Sequence, residues 1–309
     1  MRKYFVDRLF EYAKKDKNIM VLTADLGYGL FDDFRFKLPE QFLNVGVAES
    51  NLINVSAGLS MAGKNVFSYS ITPFLMMRPF EQIRLNICYN HTNVKLLGAG
   101  GGLVYGPEGP THHAYEDIAL MRTLPGMIVF CPGDRKEVDA LFDEIVKSKD
   151  PIYIRFGKKP LDKSIYPEGT KFSLGKANVV AKGKDIVIFS MGSMLQECYK
   201  VLRILNEKGI SPTLISVHTV KPLDEKMIKE HAKNNKCVVV VEDHNIIGGL
   251  GSAIAETLIG CGFENKFLLI ALPNKFITET GNADYLYSLY GLDAEKIADK
   301  ILKETGGLK

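Results

Sequence analysis

Hydrophobic positions along this chain switch repeatedly between helical and extended spacing, and the switches mark out its elements. Phe5, Leu9 and Tyr12 share one face of a helix expected from Lys3 to about Lys17, and an apolar strand follows at Ile19–Thr23. That strand ends in Ala24-Asp25-Leu26-Gly27. A second strand-like approach, through Phe42, Leu43, Val45 and Val47, runs into Glu49. Leu52, Ile53, Val55, Ala57, Leu59 and Ala62 then continue as a helix, with Gly63 where a C-terminal cap glycine belongs. Further apolar runs predict strands at Asn65–Tyr69, Val94–Leu97, Met127–Cys131 and Ile152–Phe156. Helices are expected between them, from Thr72 to about Cys88, from Ala114 to Arg122, and from Asp134 onward. The stretch from Gly157 to Gly175 is rich in Lys, Pro and Gly and has no period, which suits an interdomain linker. Beyond it, strands at Asp185–Ser190, Ser211–Val217 and Lys236–Glu242 alternate with helices to about Lys208, from Asp224, and from Ser252 to Ile259. Strands alternating with helices predict an α/β fold of two domains, each a mostly parallel sheet flanked by helices.

Composition narrows the class without naming a function. With 309 residues the chain has room for two domains, and 46% hydrophobic and 24% charged residues suit a soluble globular protein. A net charge of +3 with no run of Lys and Arg gives no nucleic-acid footprint. No apolar run approaches a membrane span, and Met1-Arg2-Lys3-Tyr4 leads into an amphipathic pattern rather than a signal peptide. The five cysteines are scattered and lack CxxC spacing, so a reducing, cytoplasmic location is expected, with neither disulfides nor a zinc site.

Candidate chemistry gathers in a few places. Glu49 opens its helix in apolar company, where it either serves the helix dipole or is a desolvated functional carboxyl. Asp25 follows a strand, where clefts of parallel sheets lie, although an Asp there can equally cap a turn. Phe74, Met77 and Phe80 fall on one side of a helix, as core or as a cofactor wall. Gly106-Pro107-Glu108-Gly109-Pro110-Thr111-His112-His113 is a loop whose adjacent histidines point different ways. With no further His or Cys at ligand spacing, acid–base work or hydrogen bonding to a polar substrate suits it better than metal. The Gly98–Gly102 run has Leu103 in place of a last fingerprint glycine, so it reads as a tight turn. Gly248-Gly249-Leu250-Gly251 opens a helix that either holds an anion or simply packs.

Taken together, Ala24-Asp25-Leu26, Gly46-Val47-Ala48-Glu49, Pro73-Phe74-Leu75-Met76, Gly109-Pro110-Thr111-His112 and Glu242-Asp243-His244-Asn245 resemble the transketolase superfamily, in that family's order. The resemblance implies a pyrimidine-binding domain at 1–160, a linker at 161–176 and a transketolase C-terminal domain at 177–309. It also implies thiamine diphosphate as cofactor, with its diphosphate and Mg2+ bound mainly by a preceding domain that carries a GDG…N motif. No Gly-Asp-Gly occurs here, so a separate N-terminal subunit is expected to supply that half, in an α2β2 heterotetramer. By the same resemblance Glu49 would engage the aminopyrimidine and activate the cofactor, which requires a carboxyl able to keep or share a proton. Phe74, Met77 and Phe80 would pack on the ring, with Asp25 and Leu26 beside it. His112, Asp25 and Glu108 would meet the sugar, and Arg2 and Arg155 its phosphate. No metal ligand is assigned to this chain.

The activity implied is transfer of a two-carbon ketol unit between phosphorylated sugars, as in pentose phosphate metabolism. Two enzymes of the superfamily are alternatives: 1-deoxy-xylulose-5-phosphate synthase, normally one long chain, and the beta subunit of a 2-oxo-acid dehydrogenase, which lacks the Gly-Pro-Thr-His loop. A non-catalytic regulatory paralogue would have no need of Glu49. Three positions depart from the pattern: Glu108 replaces an aspartate, Gly100 a histidine and Gly29 a phosphate-binding serine.

Overall fold

Strands buried on both faces must be apolar throughout, and the sequence meets that requirement in two separate places. The computed structural model of the chain describes residues 1–158 and 163–306. Its first sheet contains β1 (Ile19–Thr23), β2 (Phe42–Asn44), β3 (Asn65–Ile71), β4 (Val94–Ala99), β5 (Ile128–Phe130) and β6 (Ile152–Phe156). The second contains β7 (Asn178–Ala181), β8 (Ile186–Ser190), β9 (Thr213–Ser216), β11 (Cys237–Asn245) and β12 (Lys266–Leu272). One strand crosses between them: β10 (Thr219–Lys221) leaves the second half of the chain and pairs antiparallel with β5. The resulting orders are β10-β5-β6-β4-β3-β1-β2 and β12-β11-β8-β9-β7. All other pairings are parallel except β7 with β9. β11 is buried along its whole length, as its Val238-Val239-Val240-Val241 core requires.

The helices begin where local chemistry caps them. Asp134 accepts from the Lys136 amide and forms a capping box with Glu137 at the head of helix Arg135–Lys147, and Asp224 caps Glu225–Lys233. Gly63 takes a positive φ of 92° just past helix Glu49–Met61, as expected of a terminating glycine.

Two expectations are corrected. The helix foreseen from Thr72 to Cys88 is broken: Thr72–Met76 ends, Phe80–Gln82 restarts, and Ile83–Tyr89 is a π-helical segment. Pro79 has no N–H to continue the ladder, and its ring clashes with the preceding turn. Helix Ala114–Arg122 starts later, at Asp117, because Ala114 is held in a bridge to Gly102. The expected linker is anchored where it is described. The Ser164 hydroxyl and the Ile165 amide donate to Asp134, while the Tyr166 hydroxyl donates to Glu137. The expected boundary between residues 160 and 161 lies outside the described residues.

Candidate functional site

The C-terminal ends of β1, β3 and β4 converge, and most of the chemistry-bearing residues gather there. Beyond β1, Asp25 takes a positive φ of 55° and is locked by Asn44. Its amide donates to Asn44 Oδ1 and its carboxylate accepts from Asn44 Nδ2, both at 2.9 Å. The Tyr28 hydroxyl donates to the same carboxylate at 2.8 Å. These two side-chain hydrogen bonds hold the Asp25 carboxyl below its ordinary range. Asp25 is therefore a fixed, ionised acceptor.

Glu49 is the first residue of its helix and only 4% exposed, so the helix N-terminus and a desolvated carboxylate coincide. Its Oε2 accepts from Arg78 Nη1 at 2.9 Å, and Arg78 itself is 51% exposed. The break at Pro79 is what turns Met77 and Arg78 outward. Arg78 also lies 4.1 Å over the Phe74 ring, whose other neighbour is the His112 imidazole, edge-on at 5.0 Å. Glu49, Arg78, Phe74 and His112 thus form one connected surface. Phe74 is half-buried and Met77 exposed, outside the core that Leu75 and Met76 join, while the half-buried Phe80 packs against that core.

The two histidines diverge as the sequence suggests. His112 is half-exposed, with Nδ1 2.9 Å from the Thr111 hydroxyl. His113 turns inward, and burial lowers its pKa. His112, Glu108, Leu26 and Arg2 line one cleft of 340 Å³. Arg2 reaches it from the N-terminal helix, where Nη1 donates to the Tyr105 hydroxyl at 2.7 Å and the Tyr69 hydroxyl at 2.9 Å.

Arg155 does not join them. It is 1% exposed, and Asp117 (Nε, 2.8 Å) and Asp243 (Nη1, 2.6 Å) neutralise it. Its Nη2 donates to the carbonyls of Ala114 and Asp243. A guanidinium so committed has no fork left for a phosphate, so the phosphate-binding expectation for Arg155 is corrected to a structural one. The motif that begins at Glu242 shares this work. Asp243 holds Arg155, His244 Nε2 accepts from the Ala119 amide, and Glu242 accepts from the amides of Leu250 and Gly251. The Leu250 and Gly251 amides of the Gly248–Gly251 turn are thus taken up by the chain's own Glu242 side chain. Close approach at the Gly98–Gly102 run likewise serves the protein, since a Cβ on Gly101 would meet Arg155 Cγ at 2.7 Å.

Sequence reasoning missed Arg78, Tyr69, Tyr105 and Asn44. For Arg78 the signal was available in Pro79, which forbids a continuous helix and so redirects the residue before it. Among the described residues no group of three His, Cys, Asp or Glu side chains could hold a metal ion, and no helix is long and apolar enough to cross a membrane.

Comparison with known proteins matches this architecture. Residues 1–163 match the family model "Transketolase, pyrimidine binding domain", and residues 175–297 match "Transketolase, C-terminal domain". The chain is 35% identical to one subunit of the apulose-4-phosphate transketolase of Phocaeicola vulgatus, covering 98% of this chain and 96% of that protein. It is 38% identical to the 6-deoxy-6-sulfo-D-fructose transketolase subunit SqwH of Clostridium sp., covering 96% and 92%. A solved split-gene transketolase, an inactive beta4 tetramer, superposes with a TM-score of 0.85 at 33% identity, over 98% of this chain and 96% of that one. With both halves matched in order and relatives aligned nearly end to end, the chain belongs to the transketolase family.

Proposed function

We propose that this chain is the pyrimidine-binding subunit of a split, thiamine-diphosphate-dependent transketolase, transferring a two-carbon ketol unit between phosphorylated sugars with a separate subunit that supplies the diphosphate and Mg2+ half-site. The observation that carries this reading is Glu49: a buried carboxylate at a helix N-terminus, paired with a half-exposed arginine beside half-exposed aromatic surface. A flat heteroaromatic ring with a hydrogen-bonding nitrogen fits such a place, with Phe74, Met77 and Phe80 as its apolar flank. Thiamine diphosphate, when bound, supplies the nucleophilic carbon that takes up and hands on the two-carbon unit.

The chain's own residues would then do four things. Glu49 Oε2 exchanges its bond to Arg78 Nη1 for one to the ring nitrogen and holds the proton there. Phe74 and Phe80 exclude water from one face of the ring. Asp25, fixed by Asn44 and Tyr28, accepts a sugar hydroxyl, while His112, with Nδ1 on Thr111, presents Nε2 to another. Arg2 faces the distal, anionic end of the sugar from the far side of the same cleft.

The test is complementation. The purified chain should associate with itself but transfer no ketol group, as the beta4 assembly of its relative suggests. Adding the subunit that carries GDG…N, with thiamine diphosphate and Mg2+, should restore transfer from a ketose phosphate to an aldose. Steady transfer by the chain alone would refute the split-site reading.

A further inference from the structure

Two clefts, not one, meet at the sugar end of this site. The first, of 340 Å³, reaches His112 and Glu108. The second, of 460 Å³, opens on the other side and is lined by Lys3, Gly29, Gly100 and Gly157. They share Arg2, Leu30 and Tyr105. These three residues stand between the clefts, and the half-buried Tyr105 ring among them is tied through its hydroxyl to Arg2 Nη1 at 2.7 Å. What lets the ring lie there is a missing side chain. A Cβ on Gly100 would sit 2.1 Å from Tyr105 Cδ2 and 2.3 Å from Cε2, closer than any real contact. Gly100 also has a φ of 83°, which suits glycine. The glycine and the tyrosine are one device: any side chain on residue 100 would displace the ring from its place between the clefts.

We propose that Tyr105 is the residue that sets acceptor length. With its ring on Gly100, the inner cleft ends at Arg2 and takes a short aldose whose distal anion faces that guanidinium. With the ring removed, a longer aldose extends past Arg2 toward Lys3 and the glycine-lined second cleft. This inference rests on the ketol-transfer reading, because it assigns the clefts to an aldose. The bond to Arg2 gives the tyrosine a second role, as the positioning residue for the anion-binding side chain.

The experiment uses the complete two-subunit enzyme and three variants of this chain: Tyr105→Phe, Tyr105→Ala and Gly100→Ala. Acceptors are glyceraldehyde and ribose, each with and without its terminal phosphate, and the readout is kcat/KM. Tyr105→Ala should raise the five-carbon to three-carbon ratio by about 10-fold, the order expected when one wall of a pocket changes. Gly100→Ala should move the ratio in the same direction with the tyrosine still present, provided its thermal midpoint shows a folded chain. Tyr105→Phe keeps the wall, so it should leave the ratio near wild type. It should cost about 10-fold in KM on phosphorylated acceptors alone. An unchanged ratio in Tyr105→Ala overturns the proposal. Calorimetric binding of glyceraldehyde 3-phosphate and ribose 5-phosphate separates this failure from that of the parent reading. If the wild-type enzyme transfers no ketol group, yet Tyr105→Ala shifts binding toward the pentose phosphate, transketolase activity falls and the role of Tyr105 stands. If neither turnover nor binding shifts, the role of Tyr105 falls.

Discussion

At the scale of single residues, the site is organised by one carboxylate that the fold buries and then leaves a solvent-facing partner to cover. Glu49 is 4% exposed while Arg78 is 51% exposed, so the ion pair is held from outside and can be displaced from outside. Because Arg78 is half-exposed, removing the Glu49 charge leaves that guanidinium solvated rather than buried and unpaired, so neutralising Glu49 should cost little in folding. Replacing it should therefore separate catalysis from stability. Glu49→Gln keeps shape and hydrogen bonding but cannot hold the proton on the cofactor ring. It should lower kcat of the reconstituted enzyme by about 10³-fold, roughly 4 kcal/mol of barrier, with assembly and unfolding midpoint close to wild type. Near-normal turnover in that variant would remove Glu49 from the mechanism. Much of this was legible in the sequence, because Asp25, Glu49, Phe74, Glu108 and His112 sit in motifs whose order a linear reading preserves. Arg78 was legible only through Pro79, a helix breaker that the apolar pattern around it overrode, and Tyr105 was not legible, since its place depends on the empty space above a glycine, which is not a spacing. Arg155 was misread for a related reason. A strand-end arginine looks alike from sequence whether it faces solvent or two buried carboxylates.

At the scale of elements, that arginine decides how the two halves of the chain are joined. Arg155 on β6 holds Asp117 at the start of one helix and Asp243 on β11, and the Tyr153 and Tyr287 hydroxyls donate to the same two carboxylates. Removing the cation leaves two buried acidic groups without their counter-charge. Arg155→Ala should destabilise the chain by about 3–5 kcal/mol, read as a drop in urea midpoint, and lose activity equally on phosphorylated and unphosphorylated acceptors. A KM effect confined to phosphorylated acceptors, with an unchanged midpoint, would return Arg155 to the substrate. The elements that built this junction were only partly foreseen. Long apolar strands such as Ile186–Ser190 and Ile152–Phe156 declare themselves by composition. β10 is three residues of Thr, Val and Lys, and becomes a strand only because β5 offers it an open edge. Such tertiary strands carry no period of their own.

At the scale of the whole molecule, the junction also sets how stability responds to acid, through two buried groups that oppose each other. Glu137 accepts from the Ser216 hydroxyl at 2.6 Å and from the amides of Gly133 and Asp134, and the Tyr166 hydroxyl donates to it as well. Burial nevertheless outweighs these bonds and pushes its pKa up to about 7. His218, between Phe130 and Phe172, is pushed down to about 4 by burial. The folded-state pKa of Glu137 lies above the ordinary 4.5, so its contribution is fully present below pH 4.5 and is lost as pH rises through about 7. The folded-state pKa of His218 lies below the ordinary 6.5, so its contribution is present above pH 6.5 and is lost as pH falls through about 4. Between those ordinary values the two slopes have opposite sign and similar size, about 1.4 kcal/mol per pH unit for each proton. Wild-type stability is therefore nearly flat across that interval as far as this pair is concerned. Removing either partner exposes the other. Relative to wild type at equal concentration, Glu137→Gln should lose stability on acidification from pH 6.5 to 5, and His218→Gln should gain it. Urea unfolding at half-unit steps of pH reads both difference curves, which should be mirror images. Two variants whose curves run parallel to wild type would mean that neither group changes its protonation on unfolding, and the buried charge balance at this junction would have to be carried by other residues.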